Sequence, residues 1–283
     1  MSRRAPDPSG AGARLLIPAG LDATVVLVRH GESTYVAEGR FQGQADPPLS
    51  ELGRQQARLV AARLSRPAEV PALPLPDGPP LEVVHSPLAR AADTARSIAA
   101  AWADAGTLGA SVARHPDAGF LEIGQGEWEG RPSAEIAERW ADELAAWRRD
   151  PVANWAPGGE SVRDVDRRVR PALATLLDHL AQGRAPGTLD RSQVLGYLAA
   201  RPDQGWSVVV AHDGVFKLTL LALLDLPIER FWTFPFALCG ISIVEIGGGR
   251  ARLLAHNLTD HLAVLENQDA RALAAARRAS GAR

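Results

Sequence analysis

Thr24-Val25-Val26-Leu27-Val28-Arg29-His30-Gly31 is the stretch that sets the fold class. Its β-branched run shows no polar alternation, which is the pattern of a strand buried on both faces under helices. The run then delivers a histidine and a glycine, so a reactive side chain meets a residue that permits a tight turn. Working outward, Leu49-Ser50-Glu51-Leu52-Gly53 opens a helix carrying Gln56, Leu59, Val60 and Leu64 at helical spacing. Pro67 to Pro80 is a proline-rich connector. Leu81-Glu82-Val83-Val84 predicts a second strand, Leu88 to Trp102 a second helix, and Ser111-Val112-Ala113 a short third strand. Helical periodicity from Ser133 to Leu180 breaks at Pro151 and Pro157, and Gly183 to Gly205 reads as a polar insertion with one helix inside.

Trp206-Ser207-Val208-Val209-Val210-Ala211 is the clearest strand of the second half, with a helix from Val215 to Leu224 directly after it. Ile241 to Glu245 and Ala251 to Leu254 flank Gly247-Gly248-Gly249, a hairpin signature. Strands alternating with helices predict an α/β fold with a mostly parallel sheet covered on both faces. In such sheets ligands sit beyond the carboxyl ends of the strands.

Composition narrows the partners. The chain has 283 residues, 46% apolar and 23% charged, enough to bury a sizeable core. A formal net charge of -2 gives no general attraction to nucleic acid or a membrane surface, so any cationic pocket must be local. Cys239, the single cysteine, stands in the apolar run Phe234 to Cys239 and reads as a buried structural thiol. Residues 1–21 read as a disordered Pro/Gly/Ala/Arg-rich lead, residues 22–263 as the folded domain, and 264–283 as an Ala/Arg-rich tail. Without a secretory h-region or an ~18-residue apolar stretch, the expectation is a cytoplasmic protein. The apolar run Phe231 to Phe236 is a candidate face for a homodimer.

Three strand ends carry the chemistry. The first delivers Arg29-His30-Gly31, the later one His212-Asp213-Gly214, and the middle one His85-Ser86-Pro87-Leu88-Ala89-Arg90. In a parallel sheet these ends face one crevice, so two histidines and two arginines converge. Arginine neutralises a phosphate with a planar fork matched to two oxygens. Nearby positive charge keeps an imidazole neutral and able to attack phosphorus, and a phosphohistidine splits one hard step into two easier ones. The leaving oxygen needs a general acid, for which Glu122, Glu127 and Glu129 are all available by spacing.

With these residues in hand, the chain resembles the histidine phosphatase (phosphoglycerate mutase-like) superfamily from about Thr24 to Leu262. The resemblance rests on several motifs in order: Leu27 to Ser33, Gly39-Arg40-Phe41-Gln42-Gly43, Asp46 to Ala57, and Ser86 to Ala91. Gly158-Gly159-Glu160-Ser161, His212-Asp213-Gly214 and Asn257 to Leu262 complete it. It implies His30 as nucleophile and Arg29, Arg90 and His212 as the phosphate pocket. It also implies Glu122 as proton donor and Gln42 and Gly43 as substrate contacts. The implied fold is a three-layer α/β/α sandwich with a helical cap at about 127–205, and the implied reaction uses no metal or other cofactor. Trp128, Trp140, Trp147 and Trp155 fall in or beside that cap, where packing is the commoner role for such aromatics. Two positions depart from the family: Val36, where an asparagine is frequent, and His85, where a small hydroxyl residue is usual.

The phosphatase branch is the better match. In the mutase branch an arginine follows the acid, whereas Ile123 follows Glu122 here. The expectation is a phosphatase acting on a small phosphorylated metabolite. A cofactor-dependent phosphoglycerate mutase is the alternative, and a phospho-ligand binding module without turnover is the alternative from another class.

Overall fold

A computed structural model describes residues 16–104, 112–183 and 204–265. The elements in chain order are β1 (Ala23–Arg29), α1 (Thr34–Ala37), α2 (Glu51–Ser65), β2 (Glu82–His85), α3 (Ala89–Asp104) and β3 (Ala113–Pro116). They continue with α4 (Ser133–Arg139), α5 (Ala141–Arg149), α6 (Val162–Gln182), β4 (Gly205–Ala211), α7 (Asp213–Leu223), β5 (Ile241–Gly247) and β6 (Arg250–Leu258). The six strands form one sheet in the order β3-β2-β4-β1-β5-β6. Pairings β1/β4, β2/β4 and β2/β3 are parallel, while β1/β5 and β5/β6 are antiparallel, so the sheet is mixed.

Alternate residues of the central strands feed two cores. Val25, Leu27, Val209 and Ala211 pack with α6 and α7, while Val26, Val28, Val208 and Val210 pack with α2 and α3. Burial on both faces explains why the β1 segment reads as a continuous apolar run. Chain direction then fixes where a ligand can sit. From β1 the chain passes over the α2/α3 face to β2 and β3; from β4 it passes over the α7 face to β5 on the other side. These two strands are neighbours with diverging connections, so the crevice opens between their carboxyl ends.

Several boundaries differ from expectation. Among the described residues the third strand runs Ala113–Pro116, overlapping the expected segment only at Ala113, with Ser111 outside the described residues. Arg114 and His115 pair with Val83 and Val84 at an exposed edge, where no apolar pattern marks a strand. Helix α7 begins at Asp213, because His212 already takes the N-cap position. The helical cap expected at about 127–205 is smaller among the described residues. Trp128, Ile136, Trp140, Leu144 and Ala156 form a separate cluster around α4 and α5, whereas α6 lies on the main sheet through Val165, Leu173 and Leu177. Leu16 and Ile17, within the segment read as a disordered lead, pack against the α6/α7 core. The helix expected inside Gly183 to Gly205 and the tail beyond residue 265 lie outside the described residues.

Candidate active site

In-register pairing of β1 and β4 sets Arg29 opposite Ala211, so the next residues, His30 and His212, leave the sheet side by side. Their rings stand edge to face with centroids 5.0 Å apart. His85 of β2 is in register with Val210 of β4, which brings Ser86 to the same end. The Ser86 hydroxyl lies 2.8 Å from His212 Nε2. Both imidazoles are buried.

The bonding of His30 assigns its tautomer. Nδ1 lies 2.6 Å from the Gly31 carbonyl, which can only accept, so Nδ1 carries the proton and Nε2 keeps its lone pair. Arg90 Nε donates toward that Nε2 at 3.3 Å. Burial first, then the positive charge of Arg90 and Arg29, holds the His30 pKa well below the ordinary histidine value. His212 is lowered likewise, chiefly by burial and then by Arg90. Two neutral imidazoles therefore stand beside two guanidinium groups, and His30 turns its Nε2 lone pair toward Arg90.

Arg90 is fully buried at the start of α3 and is held from three sides. Its Nη1 and Nη2 donate to the Ala45 and Gly43 carbonyls, both at 2.8 Å. Burial lowers its pKa to about 10, which leaves it charged at neutral pH. Gly43 sits at φ +53°, and a Cβ there would fall 2.1 Å from Glu129 Oε1, so only glycine suits this close approach. Gln42 stands one contact further out, accepting from the Ser33 hydroxyl. Arg29 Nη1 donates to the Phe236 carbonyl at 2.6 Å. Arg29 Nε and His212 Nδ1 are buried with no hydrogen-bond partner, which is uncommon for buried polar atoms.

The three glutamates left open by spacing are separated by their surroundings. Glu127 is exposed. Glu129 Oε1 accepts from the backbone of Gln44 and Gln125, both at 2.8 Å, and ties the 41–45 loop to the 122–126 loop. Glu122 accepts from the N–H groups of Gly214 (3.2 Å) and Val215 (3.1 Å) at the start of α7, and from Ile123 at 2.9 Å. That position places its carboxylate on the positive end of α7, one turn from His212.

Sequence reasoning did not single out the layer behind Glu122. Arg168 of α6 donates to the carbonyls of Gly119 (3.0 Å), Leu121 (2.7 Å) and Glu122 (2.9 Å), and pairs with Glu160 at 2.8 Å. Glu160 in turn accepts from Gly124 N and Gln44 Nε2. Glu160 was visible within its Gly-Gly-Glu-Ser motif, but Arg168 carries no sequence signal beyond a place on an amphipathic helix. Thr94 was missed as well; its hydroxyl accepts from Gly31 N at 3.2 Å and donates to the Arg90 carbonyl. Val36 bonds through its backbone, its N–H donating to the Ser33 hydroxyl that caps α1 and its carbonyl accepting from Gly39 N. His85 donates from Nδ1 to the Ser86 carbonyl at 2.8 Å, and the structure gives it no further role.

A model of the histidine phosphatase superfamily (branch 1) matches residues 25–185 and 191–259. The chain is 29% identical over 242 residues to phosphoserine phosphatase 1 of Hydrogenobacter thermophilus, spanning 84% of this chain and 93% of that protein. It is 38% identical over 208 residues to glucosyl-3-phosphoglycerate phosphatase of Mycobacterium tuberculosis, spanning 73% and 78%. Among solved structures, mycobacterial glucosyl-3-phosphoglycerate phosphatase in complex with VO3 is similar at a TM-score of 0.66 and 30% identity. That match covers 84% of this chain and all of the solved one.

Proposed function

The chain belongs to the histidine phosphatase superfamily, branch 1, and from that premise we propose that it hydrolyses a small phosphate monoester through a phosphohistidine on His30. The observation that carries this reading is the lone pair on His30 Nε2, held neutral between Arg29 and Arg90. In the first step Nε2 attacks phosphorus, the ester P–O bond breaks, and Glu122 gives its proton to the leaving oxygen. In the second, Glu122 takes a proton from water, whose oxygen attacks phosphorus as the P–N bond breaks. Arg29, Arg90 and the open Nδ1 of His212 hold the equatorial oxygens throughout. Gln42 and Gly43 shape the mouth beside them. The side chains supply the positive charge this scheme needs, so no metal has a step in it.

The names of the relatives put phosphoserine and glucosyl-3-phosphoglycerate at the head of the substrates to try, with a cytoplasmic location as part of the same reading. Purified protein given either compound or an aryl phosphate, without bisphosphoglycerate, is expected to release inorganic phosphate. Rapid quenching should trap phosphate on a histidine, and His30→Ala should remove both signals. Turnover by His30→Ala equal to the wild type would sink the proposal. Transfer between phosphoglycerate positions without hydrolysis would mark a mutase instead.

A further inference from the structure

A second group of ligating side chains lies at the opposite end of the sheet. Glu82 opens β2, and its carboxylate is buried, at 4% exposure. Its Oε2 lies 2.7 Å from His115 Nε2 on β3 and 3.4 Å from His179 Nδ1 near the end of α6. The other oxygen, Oε1, is buried with no hydrogen-bond partner. One ligand atom from each of the three residues lies within 4.8 Å of the others.

A buried carboxylate is costly unless paired, and lysine or arginine is the usual partner. Among the described residues, Glu82 forms ion pairs only with these two imidazoles. Imidazole is the commonest metal ligand, and two histidines with one carboxylate form an established zinc set that leaves a fourth position to water. Tetrahedral ligands at zinc bond lengths stand about 3.3 Å apart. The two distances from Glu82 bracket that value and the two imidazole nitrogens lie within 4.8 Å of each other, so seating the ion requires the rings to move. Both rings are partly exposed, at 43% and 48%, which gives them room to move and the ion a way in.

We propose that Glu82, His115 and His179 bind a divalent ion of the zinc class, with the unpaired Oε1 turned to use as ligand or acceptor. The ion would clamp β3 and the end of α6 to β2. It would take no part in the phosphoryl chemistry, because Glu82 lies four residues along the strand from Ser86, on the order of 13 Å. An ion that binds only the folded chain raises its stability by mass action.

The test uses the full chain stripped with chelator, then titrated with zinc, and with cobalt for the visible absorption of a tetrahedral site. Zinc should raise the melting temperature, and each of Glu82→Gln, His115→Asn and His179→Asn should weaken binding by roughly tenfold or more. The His115→Asn/His179→Asn double variant should lose the melting shift and the cobalt spectrum yet keep wild-type turnover. These two rings are partly exposed, so the double variant is expected to fold even where Glu82→Gln does not. Undiminished zinc affinity in the double variant overturns the proposal, as does binding lost only on replacing His30.

Discussion

At the scale of single residues, position rather than type distinguishes the groups in the crevice. His30 and His212 are both neutral and buried, but only His30 has a proton assigned by a carbonyl, which leaves the Nε2 lone pair to accept from Arg90. Glu122, Glu127 and Glu129 are chemically identical and lie within one short segment. Only Glu122 rests against the start of α7 beside His212. Glu122→Gln keeps the shape and removes the proton exchange, so kcat should fall about a hundred- to ten-thousand-fold with little change in KM. Steady-state kinetics on an aryl phosphate checks this, and a substrate with a better leaving group should suffer less. A drop confined to KM would place Glu122 in binding instead.

At the scale of elements, α6 acts as the backing plate for the loop that carries Glu122. One guanidinium, Arg168, spans three carbonyls and the Glu160 carboxylate, and it links helix, loop and the Gly-Gly-Glu-Ser turn. Removing it leaves the carbonyls and Glu160 without their shared donor. Arg168→Ala should cost about 1–3 kcal/mol of stability, since the pair is mostly buried, and should lower kcat as Glu122 loses its placement. Chemical denaturation and turnover on the same preparation measure both. Arg168→Lys should rescue little, because one ammonium cannot reproduce the planar fork. The small cap cluster is fastened by aromatics: Trp147 meets Trp128 in the cap and Trp232 beyond α7, with centroids 6.1 and 5.0 Å apart. Packing is thus the observed role of Trp128 and Trp140, whereas Trp155 is exposed.

For the whole molecule, burial of histidine couples stability to pH. His30, His85, His212, His256 and His261 all have lowered pKa values, with burial the largest cause in each. Below the ordinary histidine value near 6.5 the unfolded chain binds more protons than the folded one, so protonation favours unfolding. Stability from this source is full above about pH 6.5 and declines as pH falls toward the lowered values. Melting temperature should therefore drop between neutral and mildly acid pH, and by less in His30→Ala. A flat profile over that range would contradict the sign.

The sequence by itself determined the family, the alternation of strands and helices, and which strand ends face the crevice. These are local properties: an apolar run, a turn glycine and a histidine lie within a few residues of each other. It placed a third strand but not the bounds of β3, whose polar residues carry no periodic signal because one side of it meets water. It could not determine the extent of the cap, because α6 has the same amphipathic pattern whether it covers a site or a sheet. Only the tertiary structure decided the tautomer of His30, the different surroundings of Glu122, Glu127 and Glu129, and the meeting of Glu82, His115 and His179. Each depends on which atoms face each other across elements distant in sequence, and on the burial that those contacts create.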